Sequence, residues 1–252
     1  VNAYGNPLPD LTPNMDKLAA QGMRFMNAHV NSPICMPCRQ SMMTGLQPHS
    51  NGSMGFVEVA QGAYPSLSGL LHDAGYYTVS IGKGRDYKAF PWDEIIEGLG
   101  AVNCYNRKPE AFYQTVKKSI AKADGKPFFA YLSFQAVHSP FAAPDDWLEK
   151  YKGVYDKGYD AIRAERLARM KERGIVSKDT VPSPRLPMIP AWDDLTPEQK
   201  KLSARRMEVY AAMLANMDHH IGRLIDHLKQ TGQYENTLVV FLSDNGAEPV
   251  EL

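Results

Sequence analysis

Residues 66–85 read Ser-Leu-Ser-Gly-Leu-Leu-His-Asp-Ala-Gly-Tyr-Tyr-Thr-Val-Ser-Ile-Gly-Lys-Gly-Arg, and the hydrophobic period changes once within them. Leu67, Leu70 and Leu71 keep helical spacing as far as Gly75, a residue that stops a helix because it takes the left-handed conformation without steric cost. Tyr76–Ile81 then reads as a strand, and the polar cluster Gly82–Arg85 follows. Helix, tight stop, strand and polar loop in that order make one unit of a layered α/β domain.

The alternation continues in both directions. Toward the N-terminus, Thr12 as cap, Pro13 at the first helical position and Met15, Leu18 and Ala19 on one face predict a helix that stops at Gly22. Met23–Val30 should follow as a strand, and a further helix should begin near Pro37. Toward the C-terminus, Pro109–Ala121 reads as a helix. Phe128–Phe134 is too short for a typical helix and suits a buried central strand. A strongly charged helix is expected over Asp160–Gly174, and Pro182, Pro184, Pro187 and Pro190 force an extended surface connection after it. The clearest helix is capped at Thr196-Pro197 and carries Met207, Tyr210, Leu214, Met217, Ile221, Leu224, Ile225 and Leu228 at three- and four-residue steps. Thr237–Ser243 closes the pattern as an apolar strand with Asp244-Asn245-Gly246 at its end. The predicted fold class is therefore α/β, with a mostly parallel central sheet sandwiched by helices.

With 252 residues and 44% hydrophobic composition, one sizeable core is expected, in a single domain over residues 1–252. Lys plus Arg equals Asp plus Glu at 28 each, so no overall field draws the chain to nucleic acid or to an anionic membrane. The longest apolar runs, Thr237–Leu242 and Phe128–Phe134, fall far short of the roughly 20 residues that span a bilayer, so no membrane span is expected. Three cysteines are an odd number, and Cys35 and Cys38 lie too close together to staple distant elements, so a disulfide-built fold is not expected. The chain opens at Val1 without a charged-then-apolar leader, which suggests that an export signal has been removed or was never included.

Four polar clusters each follow a predicted strand: Cys35–Arg39, Gly82–Arg85, His138–Pro140 and Asp244–Gly246. Ligands of open α/β sheets bind beyond the carboxyl ends of the strands, so these distant clusters can converge on one pocket. Taken singly they are ordinary: a small buried thiol, a solvated lysine, a hydrogen-bonded structural histidine and a turn. Together they make coherent chemistry. Arg39, Lys83 and His138 offer a tetrahedral oxyanion cationic and hydrogen-bonding groups from several directions. A helix starting near Pro37 adds its partial positive charge beside residue 35. Asp244 and Asn245 offer hard oxygens, which suit Ca²⁺ or Mg²⁺ rather than zinc.

Cys35-Met36-Pro37-Cys38-Arg39, continued by Thr44-Gly45-Leu46-Gln47-Pro48-His49, closely resembles the sulfatase signature of Cys-x-Pro-x-Arg followed by Thr-Gly. Thr12–Ala19, Gly82-Lys83, Phe134–Pro140 and Ser243–Gly246 resemble further sulfatase blocks in the same order, so the likeness covers nearly the whole chain. Tyr151–Glu248 looks most like bacterial arylsulfatases, and Cys35–Gly55 is also similar to sulfamidase-like members. The resemblance implies an alkaline-phosphatase-like fold and hydrolysis of a small-molecule or carbohydrate sulfate ester, with aryl sulfates as the default. It implies that a formylglycine-generating maturation enzyme oxidises Cys35, and that the hydrated aldehyde supplies the attacking oxygen, with Arg39 holding the diol. Attack on sulfur then releases the alcohol and leaves a sulfated hemiacetal, from which the second hydroxyl expels sulfate. By the same resemblance Lys83 and His138 contact the sulfate, Asp244 and Asn245 are two ligands of a divalent metal, usually calcium, and a periplasmic or secreted location is favoured.

Three departures stand out. The family's Gly-Lys-Trp-His block is Gly82-Lys83-Gly84-Arg85 here, and Arg85 can bind a substrate oxyanion but cannot shuttle a proton at neutral pH. Cys38 fills a slot where the family commonly has serine, which brings a risk of oxidative pairing. Val1 begins just after the family's first strand and a pair of metal-binding aspartates, and Leu252 stops before a later lysine and a smaller C-terminal subdomain. Weak metal binding is expected on that account. The rival readings are a phosphate or phosphonate ester hydrolase of the same superfamily and an inactive anion-binding fragment.

Overall fold

The computed structural model describes residues 1–83, 88–97 and 109–246. The longer helices form where prolines, glycines and periodicity place them. Helix α1 (Pro13–Gln21) ends at Gly22, and α2 (Cys35–Thr44) and α3 (Pro48–Asn51) follow. Ser66 caps α4 (Leu67–Asp73) by accepting from the Gly69 amide at 3.1 Å, and Gly75 just beyond it has φ +87°, in the left-handed region expected of a glycine stop. Helix α5 spans Pro109–Ala121, α6 Asp145–Glu149, α7 Gly158–Glu172 and α8 Pro197–Gln230. The proline-bearing segment between α7 and α8 has no helix before the 3-10 turn at Trp192–Asp194.

Strands β1 (Tyr77–Gly82), β2 (Glu94–Glu97) and β3 (Phe128–Ser133) form one parallel sheet in the order β2-β1-β3. Register places Val79 opposite Glu94, Tyr77 opposite Phe128 and Gly82 opposite Ser133. One face of β1 presents Val79 and Ile81 to Phe112, Tyr113, Val116 and Ile120 of α5. Val79, Ile81 and Val116 have no exposure at all, and each such burial contributes roughly 1.5 to 3 kcal/mol. In a second cluster, Met43 of α2 and Phe90 pack with Trp92, Phe129 and Tyr131.

Three strand expectations are corrected. Within the described sheet β1 is the middle strand and β3 an edge, so Phe128–Ser133 is mostly half-buried rather than central. Met23–Val30 and Thr237–Ser243 are not strands; they run as irregular, exposed chain. Met23, Leu238 and Val240 are 77%, 89% and 69% exposed. Apolar β-branched sequence makes a segment able to pair, but a strand exists only where another chain's N–H and C=O groups meet it. Among the described residues neither segment has such a ladder. The short β2, with a charged residue at each end, is a strand that the sequence did not advertise.

The residues gather into two compact units, Val1–Met26 with Pro140–Arg223, and Asn27–Ser139 with Leu224–Leu252. In the first, Leu8, Leu11, Tyr155, Ile162, Ala211 and Ala212 share a core. There the carboxylate of Asp218 accepts the backbone amides of Asn14 and Met15 at 3.0 and 2.8 Å, and the Asn14 side chain at 2.9 Å. These amides belong to the first turn of α1, whose N–H groups have no partner inside the helix. Among the described residues no helix is long and apolar enough to cross a membrane.

Candidate active site

Cys35, Arg39, Lys83, His138, Asp244 and Asn245 all fall in the second unit. Arg85 and Cys104 lie outside the described residues.

Cys35 is the first residue of α2, which starts two positions ahead of Pro37 and has Ile34 as its cap, with no side-chain cap bond. The Cys38 amide, reaching Ile34 O at 3.1 Å, is the first to close a helical turn. Pro37 sits in the first turn, where its missing N–H costs nothing. The amides of Cys35 and Met36 therefore have no acceptor within the helix, and the positive end of its dipole lies at the sulfur. The far end is closed by the Thr-Gly pair: Thr44 Oγ1 donates to Gln40 O at 2.8 Å, and Gly45 has φ +69° with its amide on Ser41 O.

Lys83 follows the last residue of β1, and its Nζ donates to Cys35 Sγ at 3.4 Å. Gly82 has φ +118°, and a Cβ on it would lie 2.1 Å from Ser133 O. Only glycine permits this approach of β1 to β3 immediately before the lysine. Because Gly82 and Ser133 are register partners, Lys83 and His138 both leave the same carboxyl edge of the sheet. A turn closed by the His138 amide on Gln135 O carries the histidine, and its Nδ1 lies 2.6 Å from Ser139 O. A carbonyl can only accept, so Nδ1 carries the proton and Nε2 is the acceptor in the neutral ring.

Arg39 is buried, and its Nε and Nη2 both reach Asp244 Oδ2 at 2.6 Å. The adjacent Asn245 lies with its amide against the Asp244 carboxylate, and its nitrogen donates to Asp244 Oδ1 at 2.7 Å. A carboxylate beside an amide carries hard oxygens of the kind a divalent ion takes, and the two residues supply only part of the usual shell of about 6 to 8 oxygens. Among the described residues no group of three His, Cys, Asp or Glu side chains stands ready for a metal.

The two cysteines of the signature differ sharply. Cys38 is 3% exposed, and burial, followed by the charge of Asp244, pushes its thiol up to about 11. It stays a protonated thiol at neutral pH, whereas Cys35 is half-buried and carries the lysine contact. The structure thus brings Cys35 to Lys83, and Arg39 to Asp244, which Asn245 adjoins, with His138 at the same sheet edge as Lys83. Sequence reasoning missed the Asp218–Asn14 clamp, for which a lone buried aspartate in a helix gives no local signal. It also missed the steric demand on Gly82, which a glycine directly at a strand end could have flagged.

The sulfatase family model matches residues 1–251. An arylsulfatase of Klebsiella aerogenes is 36% identical over 300 residues, an alignment covering 100% of this chain and 64% of that protein. The chain thus spans a little under two thirds of that relative's length. Among solved structures, the phosphonate monoester hydrolase of Agrobacterium radiobacter superposes with a TM-score of 0.59 at 18% identity, covering 97% of this chain and 59% of that one. BT4656, solved with its substrate D-glucosamine-2-N,6-O-disulfate, gives 0.56 at 18% identity, over 89% and 58% of the two chains. At such identities these two structures speak for the fold alone, and they bear out the α/β, alkaline-phosphatase-like class.

Proposed function

The chain belongs to the sulfatase family, and from that premise we propose that it hydrolyses sulfate monoesters, aryl sulfates or sulfated sugars, at the cluster around Cys35. The observation that carries this reading is the Lys83 ammonium resting on Cys35 Sγ at the N-terminus of α2. A sulfate ester presents peripheral oxygens whose charge grows in the transition state, and a cation and the amides of a helix N-terminus held beside the reacting group stabilise it there. Lys83 is held in place by β1 and by the Gly82 contact, so it meets the anion without reorganisation.

Formylglycine at position 35 is part of the proposal: its hydrate supplies an oxygen nucleophile in place of the thiol. A divalent cation held by Asp244 and Asn245 would supply Lewis-acid polarisation of the ester. Arg39 holds Asp244 from its buried position, so it orients that carboxylate and neutralises part of its charge. His138, whose Nδ1 is tied to Ser139 O, is the candidate to exchange a proton with the leaving alcohol. A maturation enzyme that acts on Cys35 is implied by the same reading.

Parallel kcat/KM measurements on an aryl sulfate and the matching aryl phosphate, after co-expression with a formylglycine-generating enzyme, test the assignment. Preference for the sulfate is expected. The likeness to a phosphonate monoester hydrolase makes an aryl phosphonate monoester the informative third substrate, and a preference for it or for the phosphate would move the activity to the sister class.

A further inference from the structure

Cys35 and Lys83 stand on different elements, the first turn of α2 and the loop leaving β1, yet they touch through Nζ and Sγ at 3.4 Å. Cys35 is a half-buried residue rather than a sealed one, which admits a small oxidant. Cys38, the other described thiol, is buried one turn further along the helix. Exposed cysteines in cationic surroundings are the ones that oxidise, and a sulfenic acid condenses with a nitrogen nucleophile held beside it. The geometry points to a reversible sulfur–nitrogen bridge between Cys35 and Lys83, formed when the unmatured thiol meets a peroxide.

The bridge forms in two balanced steps. The peroxide transfers one oxygen to Sγ: an S–O bond forms, the O–O bond breaks, one water leaves, and the sulfur is oxidised by two electrons while the peroxide is reduced. Lys83 Nζ then attacks Sγ. The S–N bond forms as the S–O bond breaks, the hydroxyl departs as water with one Nζ proton, and a second Nζ proton passes to solvent. Two equivalents of an external thiol reverse the bridge, returning Cys35 as thiol and Lys83 as amine and leaving one disulfide of the reductant. The bridge caps Cys35 against further oxygen transfer, and it requires nothing of the activity proposed above.

The test uses the full chain expressed without a maturation enzyme and treated with hydrogen peroxide. Non-reducing peptide mapping should yield a linked pair containing Cys35 and Lys83, lighter than the two peptides together by two hydrogens, which dithiothreitol separates. The K83R variant keeps the cation but has no primary amine; it should give no linked pair, and Cys35 should proceed to sulfinic acid under the same dose. A C38S variant should bridge as the parent chain does. The inference is overturned by a Cys35–Cys38 disulfide as the main product, by sulfinic acid at Cys35 with Lys83 unlinked in the parent chain, or by a linked pair that retains an extra oxygen.

Discussion

Two aspartates from the C-terminal half of the chain each hold one of its family-like blocks, and they do so by opposite physics. Asp218 is 1% exposed and takes three hydrogen bonds from Asn14 and Met15. Burial outweighs those bonds and raises its carboxyl above the usual range. Asp244, 23% exposed at its side chain, faces a buried arginine, and its remaining oxygen is turned toward Asn245. The first uses its charge entirely to end-cap a helix and can do nothing else. The second is partly exposed and pairs with side chains rather than with backbone amides. A matched block therefore does not by itself mark chemistry: Thr12–Ala19 is held for architecture, whereas Cys35–Arg39 is held beside reactive groups.

If that division is right, variants in the two regions should separate activity from stability. Cys35→Ala should abolish turnover of the matured enzyme and leave the melting temperature nearly unchanged, because the side chain is half-buried and carries no core packing. Residual turnover at a tenth of the parent rate would remove Cys35 from the reaction. Lys83→Ala should raise the barrier by about 2 to 4 kcal/mol, as for loss of an oxyanion donor, again with little change in melting.

Asp218→Ala should do the reverse. Removing the acceptor orphans two helix amides and costs on the order of 3 kcal/mol of stability, read as a lowered denaturation midpoint, while kcat per folded molecule stays at the parent value. The pH dependence sharpens this. Since the folded carboxyl binds its proton more tightly than the unfolded one, its contribution to stability is fullest below the ordinary carboxylate range and declines as pH rises through the raised value. Asp218→Asn should lack that decline, so parallel melting curves of parent and variant across the acid range would argue against a raised Asp218. Gly222→Ala places a Cβ 2.5 Å from the Asn14 side chain and should cost about 1 to 3 kcal/mol by overpacking; a neutral effect would show that Asn14 can move aside. The smallest effect is one of reactivity: iodoacetamide near pH 8 should label Cys35 well before Cys38, as followed by peptide mass analysis, because the buried thiol is pushed up to about 11.

How far the sequence could be read depended on how local each signal was. Pro13, Ser66, Gly75 and Pro197 act on their own neighbours, and the helices they bound formed where expected. Met23–Val30 and Thr237–Ser243 carry apolar composition as persuasive as that of Phe128–Ser133, yet only the last met a partner, pairing with β1. Glu94–Glu97 carries little strand signal and became a strand because Val79–Gly82 lay beside it.

By itself the sequence determined the longer helices and the α/β class, and it nominated residues whose chemistry suits an oxyanion, because capping, periodicity and side-chain chemistry are properties of a few adjacent residues. The tertiary structure alone decided which apolar runs became strands, that Cys38 is sealed while Cys35 is not, that Lys83 rests on Cys35, and that Asp218 caps a helix while Asp244 faces Arg39 and Asn245. Each of these depends on a contact between residues far apart in the chain, and the free energy of such a contact belongs to the pair, so neither local sequence contains it.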